Sequence, residues 1–236
     1  MSQEKETSVL ARLEADNRRL RALLDARDAP GELRHRLRST VSLMRSIIKR
    51  SAETDRDLAS YVAHLEDRMD SITRAQAAAD AQDAVDLHLM LSEELLHYNA
   101  KEGEKVRFSG PPTSFLPRAG QLMALAIHEL AVNAIEHGAL GLKGHLDVDW
   151  SLTPGPPEDI FTMVWKEHGG AGVGTPSSQA FGTEVLTQML SYELAANTLI
   201  EFEEDGLRCT ISFPMTERIG IVEANSRGSS QSDALA

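Results

Sequence analysis

Two short segments carry side chains whose types and spacing suit nucleotide chemistry. The first, at residues 128–134, reads His-Glu-Leu-Ala-Val-Asn-Ala. Glu129 and Asn133 are four residues apart, so a helix places them on one face. A carboxylate beside a carboxamide suits Mg²⁺ with a phosphate-bound water, because magnesium binds a few oxygen ligands and keeps several waters. A solvated helix face is the ordinary alternative.

The second segment, at residues 165–170, reads Trp-Lys-Glu-His-Gly-Gly and ends an apolar run. Glu167 therefore lies where a predicted strand enters a turn at Gly169 and Gly170. A carboxylate at this point can accept a hydrogen bond from an exocyclic amine. The glycines let the backbone approach a ligand closely. Trp165 alone is typical of a core residue at a strand end, but the two segments in this order argue against coincidence.

An H-E-L-x-x-N-A helix followed by W-x-E-x-G-G resembles the nucleotide-binding domain of the HWE sensor histidine kinases. The likeness is nearly continuous from about residue 85 to 215. It implies a Bergerat-type ATP-binding domain in which Asn133 holds Mg²⁺. Glu129 would act near the phosphate or position a metal-bound water. Glu167 would replace the aspartate by which the family usually reads the adenine amino group.

The resemblance also implies a set of nucleotide-binding residues. These are His128, Asn133, His137, Trp165, Glu167, Gly169, Gly170, Phe181 and Gly182. Phe181-Gly182 would close the ATP lid, and the N-terminus of the following helix would present N–H groups to phosphate oxygens.

Three departures from the family pattern bear on nucleotide affinity. Glu136 stands where the family commonly has lysine, so a cation beside the triphosphate is lost. Gln179-Ala180 replaces Arg-Gly before the lid, and Ala195-Ala196 replaces a Gly-Gly pair. These changes favour weak or altered ATP binding.

His35 is the candidate phosphoacceptor. It lies two residues from Leu33 and two from Leu37, so it points away from their apolar seam. An exposed neutral imidazole is a competent nucleophile toward a phosphoryl group, and the arginines at 34, 36 and 38 would attract the anion. The segment 32–38 resembles the H-R-x-K segment of the same family, although Ser39 replaces the usual asparagine. A surface histidine without a role is the alternative, and His64 lacks these basic neighbours.

The elements that must position these residues divide into four predicted regions. Residues 1–28 carry a heptad of leucines interrupted by Asn17, which predicts a short parallel coiled coil or a helix packed on the rest of the chain. Residues 32–80 predict a helical hairpin whose apolar stripe pairs two copies into a dimeric four-helix bundle. Its second helix covers about 58–72, and the alanine-rich residues 75–81 are expected as a connector. Residues 216–236 predict a disordered tail.

Residues 84–215 show a mixed pattern. Helices are predicted at 87–100, 121–138 and 183–195, and strands at 106–109, 146–152, 160–165, 199–203 and 207–213. Helices on one face of a mixed sheet give an α/β sandwich. The whole chain is therefore expected to be α+β, a helical hairpin followed by the ATP-binding sandwich.

Composition limits the partners and the compartment. The 236 residues carry a net charge of −12, which argues against nonspecific binding to nucleic acid or an anionic membrane. The sequence has no apolar stretch of signal-peptide or membrane-spanning length, so a cytoplasmic protein is expected. The single cysteine, Cys209, excludes an intramolecular disulfide and is expected as a buried small hydrophobe.

Three functions fit these observations. The leading hypothesis is a homodimeric histidine autokinase that transfers the phosphoryl group from His35 to a response-regulator receiver domain, with input from the N-terminal coil or a separate sensor protein. The second is a histidine phosphotransfer protein or adaptor with a degenerate ATP site, favoured by Glu136 and Ala180. The third is an anti-sigma-type serine kinase, against which the phosphoacceptor hairpin counts.

Overall fold

The computed structural model describes residues 38, 40–48, 57–169 and 181–222. It divides the chain into two compact units, Met1–Ser46 and Ile47–Ala236. Residues 40–48 are helical, as the hairpin predicts. The predicted coiled coil, His35 and Gly170 lie outside the described residues. All of the elements named below belong to the second unit.

The second hairpin helix, α1 (Leu58–Gln82), is longer than the sequence predicted. Asp57 caps it, since its carboxylate accepts hydrogen bonds from the Ala59 and Ser60 N–H groups at 3.0 and 3.1 Å. The helix continues through the alanine-rich stretch, where Ala75 and Ala79 are buried. The prediction that residues 75–81 form a connector is therefore wrong. Small side chains four residues apart share one face, and that face packs instead of leading away.

Five strands form the main sheet. They are β2 (Val106–Ser109), β4 (His145–Thr153), β5 (Ile160–His168), β6 (Asn197–Glu203) and β7 (Gly206–Pro214). Their spatial order is β2-β4-β5-β7-β6. The β2–β4 pair is parallel and the other pairs are antiparallel. Each of the five predicted strands is present, and the mixed sheet is confirmed.

Alternation along the strands separates two faces of this sheet. On β4, Leu146, Val148 and Trp150 are buried, whereas the residues between them are exposed or half-buried. The buried face belongs to the apolar core. The outer face carries His145, Asp147 and Asp149 on β4, because successive side chains of a strand point in opposite directions.

The helices of this unit follow the predicted order. They are α2 (Leu87–His97), α3 (Pro117–Glu136), α4 (Phe181–Glu184) and α5 (Leu190–Leu194), with a π-helical turn, Val185–Met189, between the last two. A 3₁₀ turn, Ala139–Gly141, follows α3. Pro117 occupies the first turn of α3, where its missing N–H costs nothing. Most of α3 is buried, so the unit is built around this helix.

A second, three-stranded sheet escaped sequence prediction. It consists of β1 (Val85–Asp86), β3 (Thr113–Phe115) and β8 (Gly220–Val222) in the order β1-β3-β8. Strands of two or three residues are too short to show an alternating pattern. β8 pairs antiparallel with β3. The prediction of disorder from residue 216 onward is therefore wrong for residues 220–222.

Candidate active site

Helix α3 carries Glu129 and Asn133, and its geometry places them on one face as their spacing predicted. Glu129 is nonetheless engaged by another helix. Arg68 of α1 donates from Nε to Oε1 at 2.6 Å and from a terminal nitrogen to Oε2 at 3.1 Å. The two side chains are 7% and 5% exposed. This is a buried, bidentate ion pair between the hairpin helix and the predicted nucleotide-binding helix.

A second buried carboxylate, Glu94, is also paired with an arginine of α1. Glu94 of α2 accepts from Arg74 of α1, and its Oε1 lies 2.7 Å from Nδ1 of His128. Burial raises the pKa of Glu94, but the hydrogen bond and charge of His128, with those of Arg74, outweigh burial and hold the pKa below its ordinary 4.5. The structure thus places His128, a predicted nucleotide ligand, in a buried pair with Glu94.

Two further polar contacts join α1 to α3. The Ser71 hydroxyl donates to the Ala124 carbonyl at 3.1 Å, and the Gln121 amide donates to the Gln76 side-chain oxygen at 2.6 Å. Together with Arg68–Glu129, these bonds fix one face of the hairpin helix against α3. Sequence reasoning missed all of them, because arginine, serine and glutamine on a predicted helix carry no signal of a distant partner.

Gly182 brings the predicted lid segment to Glu129 and Asn133. A Cβ atom added at Gly182 would lie 3.0 Å from Glu129 Oε2 and 3.4 Å from Asn133 Nδ2. A glycine here lets the backbone approach both polar side chains closely. Asn133 itself is half-buried. Three residues from two predicted motifs therefore meet at one place.

His137 ends α3 through its backbone, whose N–H donates to the Asn133 carbonyl at 2.9 Å. Its ring is exposed and lies 3.6 Å from a Glu136 carboxylate oxygen. Glu136, the departure from the family pattern, also lies 3.9 Å from the His64 ring on α1. An acidic side chain at this position therefore has two imidazoles near it.

Glu167 ends β5 on the buried face of the sheet and is 1% exposed. Its Oε2 accepts from the Ala139 N–H at 2.8 Å, and its Oε1 lies 3.4 Å from the Trp165 indole nitrogen. Burial raises the pKa of Glu167, opposed by these two N–H donors and the Lys166 charge. A side chain at Gly138 would collide with the Glu167 carboxylate. Gly138, just after α3, thus makes room for this carboxylate.

Trp165 and Gly169, two other residues of the predicted motif, lie close to Glu167 in the chain and have structural roles there. Trp165 is fully buried in the core and offers its indole N–H to Glu167. Gly169 has a φ of +77°, a left-handed conformation that favours glycine at the predicted turn. Oε1 of Glu167 has one long contact in this region, which leaves it the capacity to accept a further hydrogen bond. A carboxylate of this kind fits an amine donor of a nucleobase.

A comparison with protein families matches residues 32–112 to the HWE histidine kinase model. A blue-light-activated histidine kinase 1 from Erythrobacter litoralis is 29% identical over 192 residues, which are 78% of this chain and 52% of that protein. A blue-light-activated histidine kinase from Brucella anthropi is 28% identical over 188 residues, 78% of this chain and 38% of that protein. The chain thus spans about half or less of the length of these relatives.

Solved structures support the fold. The histidine kinase domain of the Erythrobacter litoralis EL346 blue-light activated histidine kinase superposes with a TM-score of 0.51, at 15% identity, over 77% of this chain and 95% of that one. A second structure of the EL346 protein gives a TM-score of 0.52 over 66% of this chain and 55% of that one. The predicted helical region followed by an α/β domain is confirmed.

The composition predicted a buried Cys209 and no membrane-spanning stretch. Cys209 is buried, and burial raises the pKa of its thiol to about 12, as a structural rather than a reactive cysteine requires. Among the described helices, none has both the length and the apolar character needed to cross a bilayer.

Proposed function

We propose that this chain is an ATP-dependent histidine autokinase of a two-component system, because its sequence is similar to HWE histidine kinases. One observation carries the proposal beyond family likeness. Gly182 of the predicted lid segment lies against both Glu129 and Asn133, so residues distant in sequence meet where the triphosphate is expected. That meeting is what an ATP site of this type needs.

The residues present fit Mg²⁺ and ATP. Asn133 offers a half-buried amide oxygen at the end of α3, and Asn133 would hold the metal. Bound Mg²⁺ neutralises phosphate charge in phosphoryl transfer. Glu167 would accept a hydrogen bond from the adenine amine through Oε1, while the Ala139 N–H holds Oε2 in place. His137, Gly169, Gly170 and Phe181 stay proposed neighbours of the nucleotide.

A catalytic role for Glu129 requires it to part from Arg68. The Glu129 carboxylate is paired bidentately with a guanidinium and is only 5% exposed, so water and phosphate oxygens have little access to it in this arrangement. The described arrangement is therefore proposed to be a resting one. Separation of α1 from α3 would release Glu129 and, in the same movement, break the contact between Ser71 and Ala124.

In the active arrangement His35 would attack the γ-phosphorus of ATP as the bond to the bridging oxygen breaks and ADP leaves. Attack by an aspartate of a response-regulator receiver domain would then break the N–P bond and take over the phosphoryl group. Leu58 and Val62 of α1 are 77% and 41% exposed. Their exposure supports the proposed burial of this stripe between two protomers in a four-helix bundle. A separate sensor protein as input and a cytoplasmic location belong to the same proposal.

A phosphotransfer protein or adaptor remains the second candidate. The Arg68–Glu129 pair favours it, because an ATP site with its acidic residue permanently engaged would be idle. Such a protein would accept phosphate at His35 from another phosphorylated protein. The two candidates differ in whether ATP itself phosphorylates the chain.

Nucleotide titration tests the site. Asn133→Ala removes the proposed metal ligand and should weaken Mg²⁺-dependent ATP binding at least about tenfold, an effect of order 1.4 kcal/mol. Asn197→Ala, at an exposed position of β6, is the matched control and should bind as the parent does. Equal affinity of Asn133→Ala and the parent would contradict the placement of the site.

A further inference from the structure

The outer face of the main sheet carries a second cluster of chemistry-bearing residues. His145 and Asp147 lie two residues apart on β4, and His168 on β5 is the cross-strand partner of His145. The two imidazole rings are stacked, with centroids 4.6 Å apart and an angle of 12° between their planes. Glu167 points to the opposite face, since neighbouring residues of a strand alternate. The cluster is therefore separate from the proposed nucleotide site.

The three side chains can converge on one ion. One ligand atom from each lies within 4.8 Å of the others. His168 Nε2 is 3.3 Å from Asp147 Oδ2, and its Nδ1 is 3.2 Å from Asp205 Oδ2. Asp147 and His168 have side chains 23% and 28% exposed, so an ion from solvent could reach them.

His168 lies between two carboxylates, Asp147 and Asp205. If Nδ1–H donates to Asp205, the other ring nitrogen of a neutral imidazole presents a lone pair toward Asp147 Oδ2. Two lone pairs at 3.3 Å repel unless a proton or a metal ion lies between them. A carboxylate on the far nitrogen is also the usual outer partner of a metal-bound histidine, because it fixes the tautomer and the ring orientation.

The surrounding ion pairs hold the carboxylates in place. Arg107 donates to both oxygens of Asp147 at 2.9 Å. Lys166 donates to Asp205 at 2.6 Å and to Glu203 at 2.8 Å. This bonded network contains three carboxylates and two permanent cations. A carboxylate oxygen has two lone pairs, so Asp147 can keep Arg107 and still ligate an ion.

We propose that His145, Asp147 and His168 bind a divalent transition-metal ion of the Zn²⁺ class, with Asp205 as the outer partner of His168. Two imidazoles and one carboxylate are ligands that zinc prefers, and a water would complete a tetrahedron. Magnesium is not expected here, because it favours oxygen ligands alone. The ion would tie the ends of β4 and β5 together, directly before Gly169.

Zinc titration of the full chain against a chromophoric chelator tests this proposal. One ion should bind per chain at this site, and Co²⁺ should give the visible absorption of a tetrahedral complex. His145→Ala and His168→Ala should each weaken Zn²⁺ binding at least about tenfold. Asp205→Asn should weaken it by about 10- to 100-fold, as outer-partner changes do.

His88→Ala is the matched control, since His88 is also exposed and also faces a carboxylate, Glu102. It should bind Zn²⁺ as the parent does. Equal binding by His145→Ala and the parent, or no Co²⁺ absorption from the parent, would overturn the proposal. Circular dichroism confirms that each variant is folded. Asn133→Ala should keep Zn²⁺ binding, so failure of the nucleotide site would be distinguishable from failure here.

Discussion

Glu129 on α3 and Glu167 on β5 are both buried carboxylates, but their charges are compensated in different ways. Glu129 is paired with a guanidinium that comes from 61 residues away, on the hairpin helix. Glu167 accepts hydrogen bonds from a backbone N–H and an indole N–H, and burial has the largest effect on its pKa. The first arrangement depends on how two helices pack. The second is built by the sheet and the turn after α3, which supply its two N–H donors, Trp165 and Ala139.

The two arrangements differ in how much of the proposed ATP site is already formed. The proposed nucleobase end, around Glu167, belongs to the buried core with Trp165. At the proposed phosphate end, Glu129 is paired with Arg68 of α1. Under the proposed function, the adenine contact is therefore formed in this arrangement, whereas Glu129 is released only when α1 separates from α3.

The largest expected effect comes from removing Arg68. Arg68→Ala leaves Glu129 as an unpaired buried charge and should lower the free energy of unfolding by about 3–5 kcal/mol. Urea unfolding followed by circular dichroism measures it. Arg118→Ala is the matched control, because the Arg118–Glu193 pair also joins two helices but is about a third exposed. It should cost about 1 kcal/mol or less.

A double variant sharpens this first test. Arg68→Met combined with Glu129→Gln removes both charges. The double variant should lose less unfolding free energy than the sum of the losses of the two single variants. Strict additivity would mean that the two side chains do not interact. In that case the comparison between the two carboxylates would have no basis.

The second effect concerns the sheet end of the site. Glu167→Gln should weaken ATP binding by roughly tenfold or more, because a charge-assisted hydrogen bond is worth about 1.5–3 kcal/mol. Fluorescent-nucleotide titration gives the affinity. Glu201→Gln, on the exposed strand β6, serves as control. An unchanged affinity of Glu167→Gln would remove this residue from the adenine contact.

The smallest effect is a difference in pH dependence between Glu94 and Glu167. The lowered pKa of Glu94 gives stability that is present above its ordinary pKa and is lost as the pH falls through the folded-state pKa. The raised pKa of Glu167 has the opposite sign, since the cost of burying its charge is relieved as the pH falls. Unfolding free energies measured between about pH 7 and pH 4 should therefore fall less steeply for Glu94→Gln and more steeply for Glu167→Gln. Parallel slopes would contradict the two directions.

Sequence reasoning reached the features that local patterns encode. Alternation identified the five strands of the main sheet, and the four-residue spacing of Glu129 and Asn133 placed them on one helical face. It also identified Glu167 as a strand-end carboxylate before a glycine turn. The resemblance to a kinase family supplied their proposed roles.

The rest depended on contacts between distant residues. Nothing near Arg68 or Ser71 in sequence indicates that they face α3. The alanine-rich stretch was interpreted as a connector because it lacks large apolar residues, yet those small side chains are what allow close packing of α1. The short strands β1, β3 and β8 form only because their partners lie side by side in the folded chain.

The central claim is that ATP phosphorylates His35, and one labelling experiment tests it most directly. The full chain is incubated with γ-labelled ATP and Mg²⁺, beside His35→Ala and the control His64→Ala. We predict a label that is acid-labile and alkali-stable. It should persist in His64→Ala and disappear in His35→Ala, which should still bind ATP. Label that remains on His35→Ala, or no label from ATP together with uptake of phosphate from a phosphorylated receiver domain, would contradict it.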